Sequence, residues 1–215
     1  MRMLRRNALS FLTFMPIAAA AESAFAAPVA VPEEKPKTAG KILFVVTSHG
    51  ELGNTGRKTG YWLSEVTRPW KVLKDAGYEI DFMSPKGGEC PVEGQNPSDP
   101  VNKAFAQDLS AQKKINFTIK PSEVKPEEYK AIFFAGGHGV MWDFPDNKEL
   151  AAITSKIYEN GGVVAAVCHG PAALINVKLS NGKFLVDGKK INSFTNSEEK
   201  GIGLDKVVPF ALETA

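Results

Sequence analysis

Residues 161–172 constrain the fold of this chain more than any other segment. Their sequence is GGVVAAVCHGPA, so a short apolar run ends at Cys168, and small residues follow it. The run predicts a buried strand, and Pro171 stands where the first turn of a helix tolerates proline. A strand that turns sharply into a helix with a nucleophile at the corner is a nucleophile elbow. The segment therefore predicts that Cys168 projects into a cleft. A buried structural cysteine is the alternative.

Strands and helices are predicted to alternate along most of the chain. Three further apolar segments indicate strands, at residues 41–47, 78–83 and 129–135. Helical spacing is found near residues 63–76, 101–113 and 147–160, with Gly77 and Gly161 as stops and a kink or break expected at Pro69. This alternation predicts an α/β fold with a doubly wound, mostly parallel sheet flanked by helices. Ligands in such folds lie beyond the carboxyl ends of the strands.

The remaining segments are predicted to form a loop, a hairpin, a short strand and an incomplete helix. Residues 87–100 are rich in glycine, proline and aspartate and are predicted to form a loop. Residues 184–191 predict a hairpin with its turn at Asp187 and Gly188, and residues 191–195 a strand that returns to the sheet. Residues 207–215 resemble an amphipathic helix that is cut short, so we expect the domain at 41–215 to be truncated at its C-terminus.

The N-terminus has the pattern of a secretory signal peptide. Arginines at positions 2, 5 and 6 precede an apolar stretch, and small residues at 24 and 26 suit signal peptidase, which predicts cleavage near Ala26 and an exported protein. Residues 27–40 are predicted to be a linker. A membrane anchor is the alternative, but Pro16 and Glu22 interrupt the apolar run, so no stable membrane insertion is expected. Removal of residues 1–26 takes away three of the basic residues and Glu22, so no basic surface remains to indicate nucleic-acid binding.

The chain has two cysteines, Cys90 and Cys168. An exported protein with an even number of cysteines favours a disulfide, but a bridge between these two would consume the elbow thiol. We therefore expect Cys168 to be free and to have a lowered pKa, because the following helix N-terminus favours a thiolate.

The residues that could carry chemistry all follow predicted strands, where this fold places its active site. They are His49, Glu51, residues 136–139, Cys168, His169, Asn196, Glu198 and Glu199. A cysteine beside an imidazole and a carboxylate is a nucleophile–base arrangement, although His169 follows Cys168 directly and could stand beside the sulfur without facing it. His49, Glu51 and His138 form an alternative zinc set, but they lack the close spacing of common zinc motifs.

Five motifs resemble one known family. Residues 135–139 (AGGHG) and 165–172 (AAVCHGPA) are similar to the ThiJ/PfpI (DJ-1/PfpI) family of the class I glutamine amidotransferase-like superfamily. Residues 59–66, 141–145 and 194–196 resemble its glutathione-independent glyoxalase branch, also called glyoxalase III or D-lactate dehydratase.

The resemblance implies a flavodoxin-like fold and a lyase that converts methylglyoxal or a related 2-oxoaldehyde to a 2-hydroxy acid, without cofactor or metal. It implies that Cys168 is the nucleophile, His169 and Glu199 complete a triad, and Glu65 lies against the sulfur. The N–H groups of Gly137 and His169 are expected to hold an oxyanion. A homodimer is compatible with the resemblance. The alternatives are a stress-related holding chaperone or redox sensor that uses Cys168, and a cysteine peptidase or amidase.

Overall fold

The computed structural model describes residues 38–215, so the predicted signal peptide and most of the linker lie outside the described residues. In chain order the strands and helices are β1 (Gly40–Val45), β2 (Tyr61–Trp62), α1 (Leu63–Asp75), β3 (Tyr78–Met83), β4 (Val92–Glu93), α2 (Pro100–Gln107), α3 (Leu109–Asn116), β5 (Tyr129–Phe134), α4 (Val140–Asp143), α5 (Lys148–Glu159), β6 (Val163–Ala166) and α6 (Asn196–Gly201). Three short 3₁₀ turns lie at Pro121–Glu123, Pro126–Glu128 and Gly170–Leu174.

The main sheet has four parallel strands in the order β3-β1-β5-β6. Successive side chains of a strand point to opposite faces, and both faces of this sheet are apolar. On β1, Leu43 and Val45 contribute to the core on one face, and Ile42 and Phe44 to the core on the other. A parallel sheet needs cover on both faces, which is why its strands are apolar nearly throughout. The predicted doubly wound α/β fold is confirmed.

Helices cover the two faces separately. Helices α1, α2 and α3 pack on the face that contains Phe44, and α4, α5 and the turn at Gly170–Leu174 pack on the face that contains Leu43. The chain moves from β1 and β3 on one side to β5 and β6 on the other, so the strand order reverses between β1 and β5. The carboxyl ends of β1, β5 and β6 meet at this switch point, where ligands bind in such folds.

Three predicted elements in the first part of the fold need correction. A break, which is one of the two outcomes expected near Pro69, does not occur: α1 continues through this residue, because Val66 and Trp70 on either side are buried and keep the segment helical despite the lost N–H donor. The helix predicted at 101–113 is two helices, since Asp108 adopts an extended backbone that ends α2 and caps α3 by accepting the Ala111 N–H. The loop at 87–100 contains β4, whose pairing with β2 is too short to leave a sequence pattern.

The predictions for residues 184–215 are mostly wrong. Residues 184–191 do not form the predicted hairpin: Phe184 makes an isolated antiparallel bridge with Lys178, and residues 185–188 form a turn. Residues 191–195 form no strand. Residues 207–215 form turns, because Pro209 cannot donate the hydrogen bond that a helix would need. Val208 and Leu212 are nevertheless buried against the core of the Leu43 face.

Among residues 38–215, no helix combines the length and the apolar character needed to cross a lipid bilayer.

Candidate active site

Cys168 lies two residues after β6, at a sharp turn of the backbone. Its φ is 57°, and among the described residues it is the one non-glycine residue with a positive φ. A strained backbone of this kind costs of order 1–3 kcal/mol and is concentrated at functional sites. The turn is the predicted nucleophile elbow, but the following segment is the 3₁₀ turn Gly170–Leu174 and not an α-helix. Both cysteines are free, so the structure does not support the Cys90–Cys168 disulfide.

The imidazole of His169 joins the thiol to a carboxylate. Its Nδ1 lies 3.2 Å from the Cys168 sulfur, and its Nε2 lies 2.7 Å from Oε2 of Glu199. The ring is 1% exposed, and it faces the sulfur directly. An ionised carboxylate only accepts hydrogen bonds, so Nε2 carries the proton and Nδ1 is free to accept one from the thiol. Cys168, His169 and Glu199 thus form one continuous hydrogen-bonded chain.

Helix α6 places the carboxylate. Thr195 caps it by accepting the Glu198 N–H, and the Glu198 side chain returns to the Thr195 N–H at 2.8 Å. This capping box fixes the start of the helix and turns Glu199, one position further, into the core, where the residue is 6% exposed. Asn196 bonds instead to Glu213 and Thr214. Of the three polar residues predicted here, only Glu199 reaches the cysteine cluster.

The carboxyl group of Glu65 also contacts the Cys168 thiol. Glu65 is the third residue of α1, and its Oε2 accepts the Gly136 N–H at 2.7 Å, while its carboxyl group bonds to the Cys168 side chain. Gly136 makes this approach feasible. A Cβ there would lie 2.8 Å from each of the Cys168 Cβ, the Glu65 Oε2 and the His169 nitrogen. The structure therefore brings together all four residues predicted for catalysis.

The charges of these groups differ from expectation. Burial, followed by the charge of Glu65, raises the pKa of the Cys168 thiol to about 12, although the N–H groups of Gly137 and His169 face the sulfur and oppose this shift. Burial also raises the pKa of Glu65. The expected lowering of the thiol pKa is wrong, because no α-helix N-terminus points at the sulfur and burial dominates. The thiol is therefore protonated at neutral pH, and it is activated only when it loses its proton to a base.

Burial lowers the pKa of His169, against the opposing effect of its bond to Glu199. The imidazole is therefore neutral at neutral pH and can act as a base. The site is thus a neutral thiol between a neutral imidazole and a buried carboxyl group.

Two aromatic rings hold the imidazole in place. Phe194 stacks on His169 with ring centroids 4.4 Å apart at 29°, and its N–H donates to the Cys168 carbonyl at 2.8 Å. His138 lies 4.3 Å from the His169 ring, and its Nε2 is 2.9 Å from the second oxygen of Glu199. No role was predicted for Phe194, and His138 was considered only within the glycine turn and a zinc set. The signals available were the position of His138 in the glycine-rich turn that follows β5 and the position of Phe194 two residues before α6.

The alternative zinc set is not assembled. His49 stacks on Trp142 and its Nε2 bonds to the Glu51 backbone oxygen, while the Glu51 carboxylate pairs with Lys58. Within residues 38–215, His138, His169 and Glu199 are the group whose ligand atoms lie within 4.8 Å of one another, which would suit a metal ion. Each of these atoms already has a hydrogen-bond partner in the group, so no metal is assigned.

A second buried carboxylate supports the site. Asp143 accepts the Thr47 hydroxyl and the Ser48 N–H, each at 2.8 Å, and joins the turn after β1 to α4. Burial raises its pKa, and the two hydrogen bonds oppose that shift. The hydrogen bonds of Asp143 therefore connect the segments that follow two neighbouring strands at the site.

Comparisons with known proteins identify the family of this chain. Residues 58–200 match the sequence model of the DJ-1/PfpI family. The glutathione-independent glyoxalase HSP31 of Saccharomyces cerevisiae is 35% identical over 179 residues, covering 78% of this chain and 74% of that protein. Among solved structures, the Rapid Encystment Protein 24 KDa of Francisella tularensis is similar with a TM-score of 0.77 and 43% identity, covering 81% of this chain and 79% of that one. Glyoxalase III of Candida albicans is similar with a TM-score of 0.71 and 32% identity, covering 78% and 73% of the two chains.

Proposed function

This chain belongs to the DJ-1/PfpI family, and on that premise we propose that it is a glutathione-independent glyoxalase. Its substrate would be methylglyoxal or a related 2-oxoaldehyde, its product the corresponding 2-hydroxy acid, and Cys168 would form the covalent intermediate. The observation that carries the proposal is the hydrogen-bonded chain from Sγ of Cys168 through His169 to Glu199, together with the bond from the Glu65 carboxyl group to the Cys168 side chain.

The first step is addition of the thiol to the aldehyde. As the bond from sulfur to C1 forms, the thiol proton passes to His169 Nδ1, and from there to the aldehyde oxygen. The product is a neutral hemithioacetal, and His169 is neutral again. The thiol pKa of about 12 means that proton removal has to accompany attack, which is the task of a base 3.2 Å away. The N–H groups of Gly137 and His169 are suited to hold the oxygen while it carries negative charge.

The second step moves a hydrogen from C1 to C2. His169 takes the C1 proton, the electron pair forms a C1–C2 double bond, and the ketone oxygen receives the proton of Glu65 to give an enediol. His169 then returns its proton to C2, and the C1 hydroxyl loses its proton to the Glu65 carboxylate. C1 is oxidised and C2 is reduced within one molecule, so no external oxidant is required. Because burial raises the pKa of Glu65, it is suited to this alternation between acid and base.

The third step is hydrolysis of the thioester. Water attacks C1 and gives a proton to His169, and the sulfur leaves and takes that proton back. Free Cys168 and the 2-hydroxy acid result. The overall reaction consumes one water and no cofactor. The chaperone, redox-sensor and peptidase alternatives gain no specific observation from the site.

The test is methylglyoxal consumption by the purified protein in the absence of glutathione. We expect lactate to accumulate in equal amount, and a stereospecific lactate assay tests the D configuration that the proposed lyase class implies. In deuterated water, deuterium at C2 of the product would report exchange at the enediol. Cys168→Ala should be inactive. A wild-type protein that consumes no 2-oxoaldehyde, or a Cys168→Ala variant that remains active, would overturn the proposal.

We also propose that the protein is exported after cleavage near Ala26. The proposal is supported by the basic start, the apolar stretch and the small residues at positions 24 and 26. N-terminal sequencing of protein recovered outside the cytoplasm should begin at or near Ala27. Recovery of uncleaved protein from the cytosol alone would refute it.

A further inference from the structure

His138 shares the triad carboxylate with His169. Its Nε2 lies 2.9 Å from Oε1 of Glu199, and the His169 Nε2 lies 2.7 Å from Oε2 of the same carboxylate. Each oxygen of Glu199 is therefore hydrogen-bonded to a different imidazole. The side chain of Glu199 is 8% exposed, that of His169 1% and that of His138 17%, so water can replace little of this bonding.

The arrangement fixes the proton positions on both rings. An ionised carboxylate has no proton to donate, so each imidazole presents Nε2–H to it. For His169 this means that Nδ1 carries the lone pair that faces the Cys168 sulfur. If His138 were absent, Oε1 would be a buried acceptor without a partner, and a buried unsatisfied acceptor costs about 1–3 kcal/mol. The carboxyl group could then rotate away from His169 or take its proton.

We propose that His138 is a positioning residue whose Nε2–H holds the second oxygen of Glu199 and thereby fixes the tautomer of His169 that accepts the thiol proton. The proposal rests on the proposed function for its kinetic consequence, but the tautomer is a property of the protein alone. His138 follows β5 at the glycine-rich turn, while Glu199 comes from α6, so the bond also ties the turn after β5 to that helix.

The charged groups around the pair are few. Glu198 acts on His169 from α6, and Asp205 lines a small cavity of about 50 Å³ beside Glu199. Glu65 bonds to the Cys168 side chain. The Phe194 ring lies 6.3 Å from the His138 ring and packs on His169. Among the described groups, His138 is the one that bonds to Oε1 of Glu199.

The test compares His138→Gln with His138→Leu. The glutamine amide can place an N–H near the position of the lost Nε2–H, whereas leucine fills space without a donor. His49→Leu is the matched control, because His49 lies outside the cluster and stacks on Trp142. By analogy with outer hydrogen-bond partners of metal-binding imidazoles, we expect His138→Leu to lower kcat about 10–100-fold. KM should change less than twofold, and His138→Gln should recover most of the loss.

A second measurement does not depend on turnover. The chain has three histidines, so ¹⁵N-resolved NMR spectra of the imidazoles can be assigned with single variants. His169 should be the Nε2–H tautomer in the wild type and in His138→Gln, and a mixture of tautomers in His138→Leu. The rate at which iodoacetamide alkylates Cys168, in a Cys90→Ser background, should fall in the leucine variant in parallel. Thermal unfolding establishes that each variant is folded.

An unchanged His169 tautomer and an unchanged alkylation rate in folded His138→Leu would overturn the proposal. A raised KM with constant kcat would also overturn it, because His138 would then contact the substrate. If the wild type has no glyoxalase activity but the tautomer and alkylation results hold, the proposed function fails and the positioning role stands.

Discussion

The two cysteines of this protein lie in similar surroundings by burial and in different ones by chemistry. Both are partly buried, and burial is the main cause of a raised thiol pKa at each. The Cys90 sulfur contacts the Thr118 hydroxyl at 3.6 Å and the Gly88 carbonyl at 3.7 Å, and neither group is a base at neutral pH. The Cys168 sulfur contacts an imidazole and a carboxyl group. Burial protects both thiols, and only the one beside a proton acceptor can become a nucleophile.

The largest expected difference between the two sites comes from replacing each thiol by a hydroxyl. Cys168→Ser should lower kcat for methylglyoxal by at least about 10³-fold, because the serine hydroxyl is a far weaker nucleophile and loss of a nucleophile removes the covalent route. Cys90→Ser should stay within about twofold, since serine can keep the bond to Thr118. Circular dichroism establishes that both variants are folded. Equal losses in the two variants would end the distinction.

The next largest effect concerns Glu199, a carboxylate that belongs to the Cys168 site and not to the Cys90 site. Glu199→Gln keeps the shape of the side chain but permits the wrong tautomer of His169, and the corresponding change in a serine protease costs about 10⁴-fold in kcat. We expect a loss of about 10²–10⁴-fold here. Glu198→Gln is the matched control, because glutamine also completes a capping box. If kcat falls equally in both variants, then Glu199 acts through the stability of α6 and not through His169.

Glu65→Gln should have a smaller effect on turnover, of about 10²-fold, which is the lower end of the usual contribution of a general acid or base. The same change should lower the pKa of the Cys168 thiol, because the Glu65 charge is its second largest cause of elevation. The pH dependence of alkylation in a Cys90→Ser background measures this pKa. An unchanged thiol pKa together with an unchanged rate would show that Glu65 only accepts the Gly136 N–H.

The smallest effect is in the pH dependence. Burial holds the pKa of His169 below its usual 6.5, so the neutral imidazole persists at pH 6.5 and is lost only at lower pH. Activity should therefore decline on an acid limb that lies below pH 6.5, as measured by kcat/KM. The unfolded chain takes up this proton at higher pH than the folded one, so stability should also fall as the pH drops below 6.5. Alkylation of Cys90 should show no such limb. An acid limb above pH 6.5 would contradict the assignment of the base.

The sheet and the elbow could be predicted because their buried positions require apolar or small residues, which are visible in the sequence. Strands such as Tyr78–Met83 and helices such as Lys148–Glu159 bury the same face along their length. The spacing of apolar residues in the sequence predicts that face. Cys168 could be predicted for a related reason, since a nucleophile at a strand end among small residues has few other uses. The residues themselves suggested His169 as a base beside Cys168, whereas the choice of Glu199 as the carboxylate and the role of Glu65 depended on the family resemblance.

Residues 184–215 could not be predicted in the same way, because single contacts determine their conformation. Phe194 is held by one hydrogen bond to the Cys168 carbonyl, and Pro209 ends a helical pattern that its neighbours favour. The thiol pKa was also missed, because it depends on whether an α-helix or a 3₁₀ turn follows the elbow. Both can begin with the same small residues and Pro171. Neither the conformation of residues 184–215 nor the type of helix after the elbow leaves a periodic pattern in the sequence.

Phe194 contacts both the nucleophile and its base. Its backbone N–H donates to the Cys168 carbonyl, and its ring stacks on His169. His138 packs against the same imidazole, so contacts on both the ring and its nitrogens hold the His169 orientation. Its orientation is therefore settled during folding, and the entropy of ordering it is already lost before a substrate arrives. A small aldehyde can contribute little binding energy of its own, so a site that needs no rearrangement is the kind that can act on one.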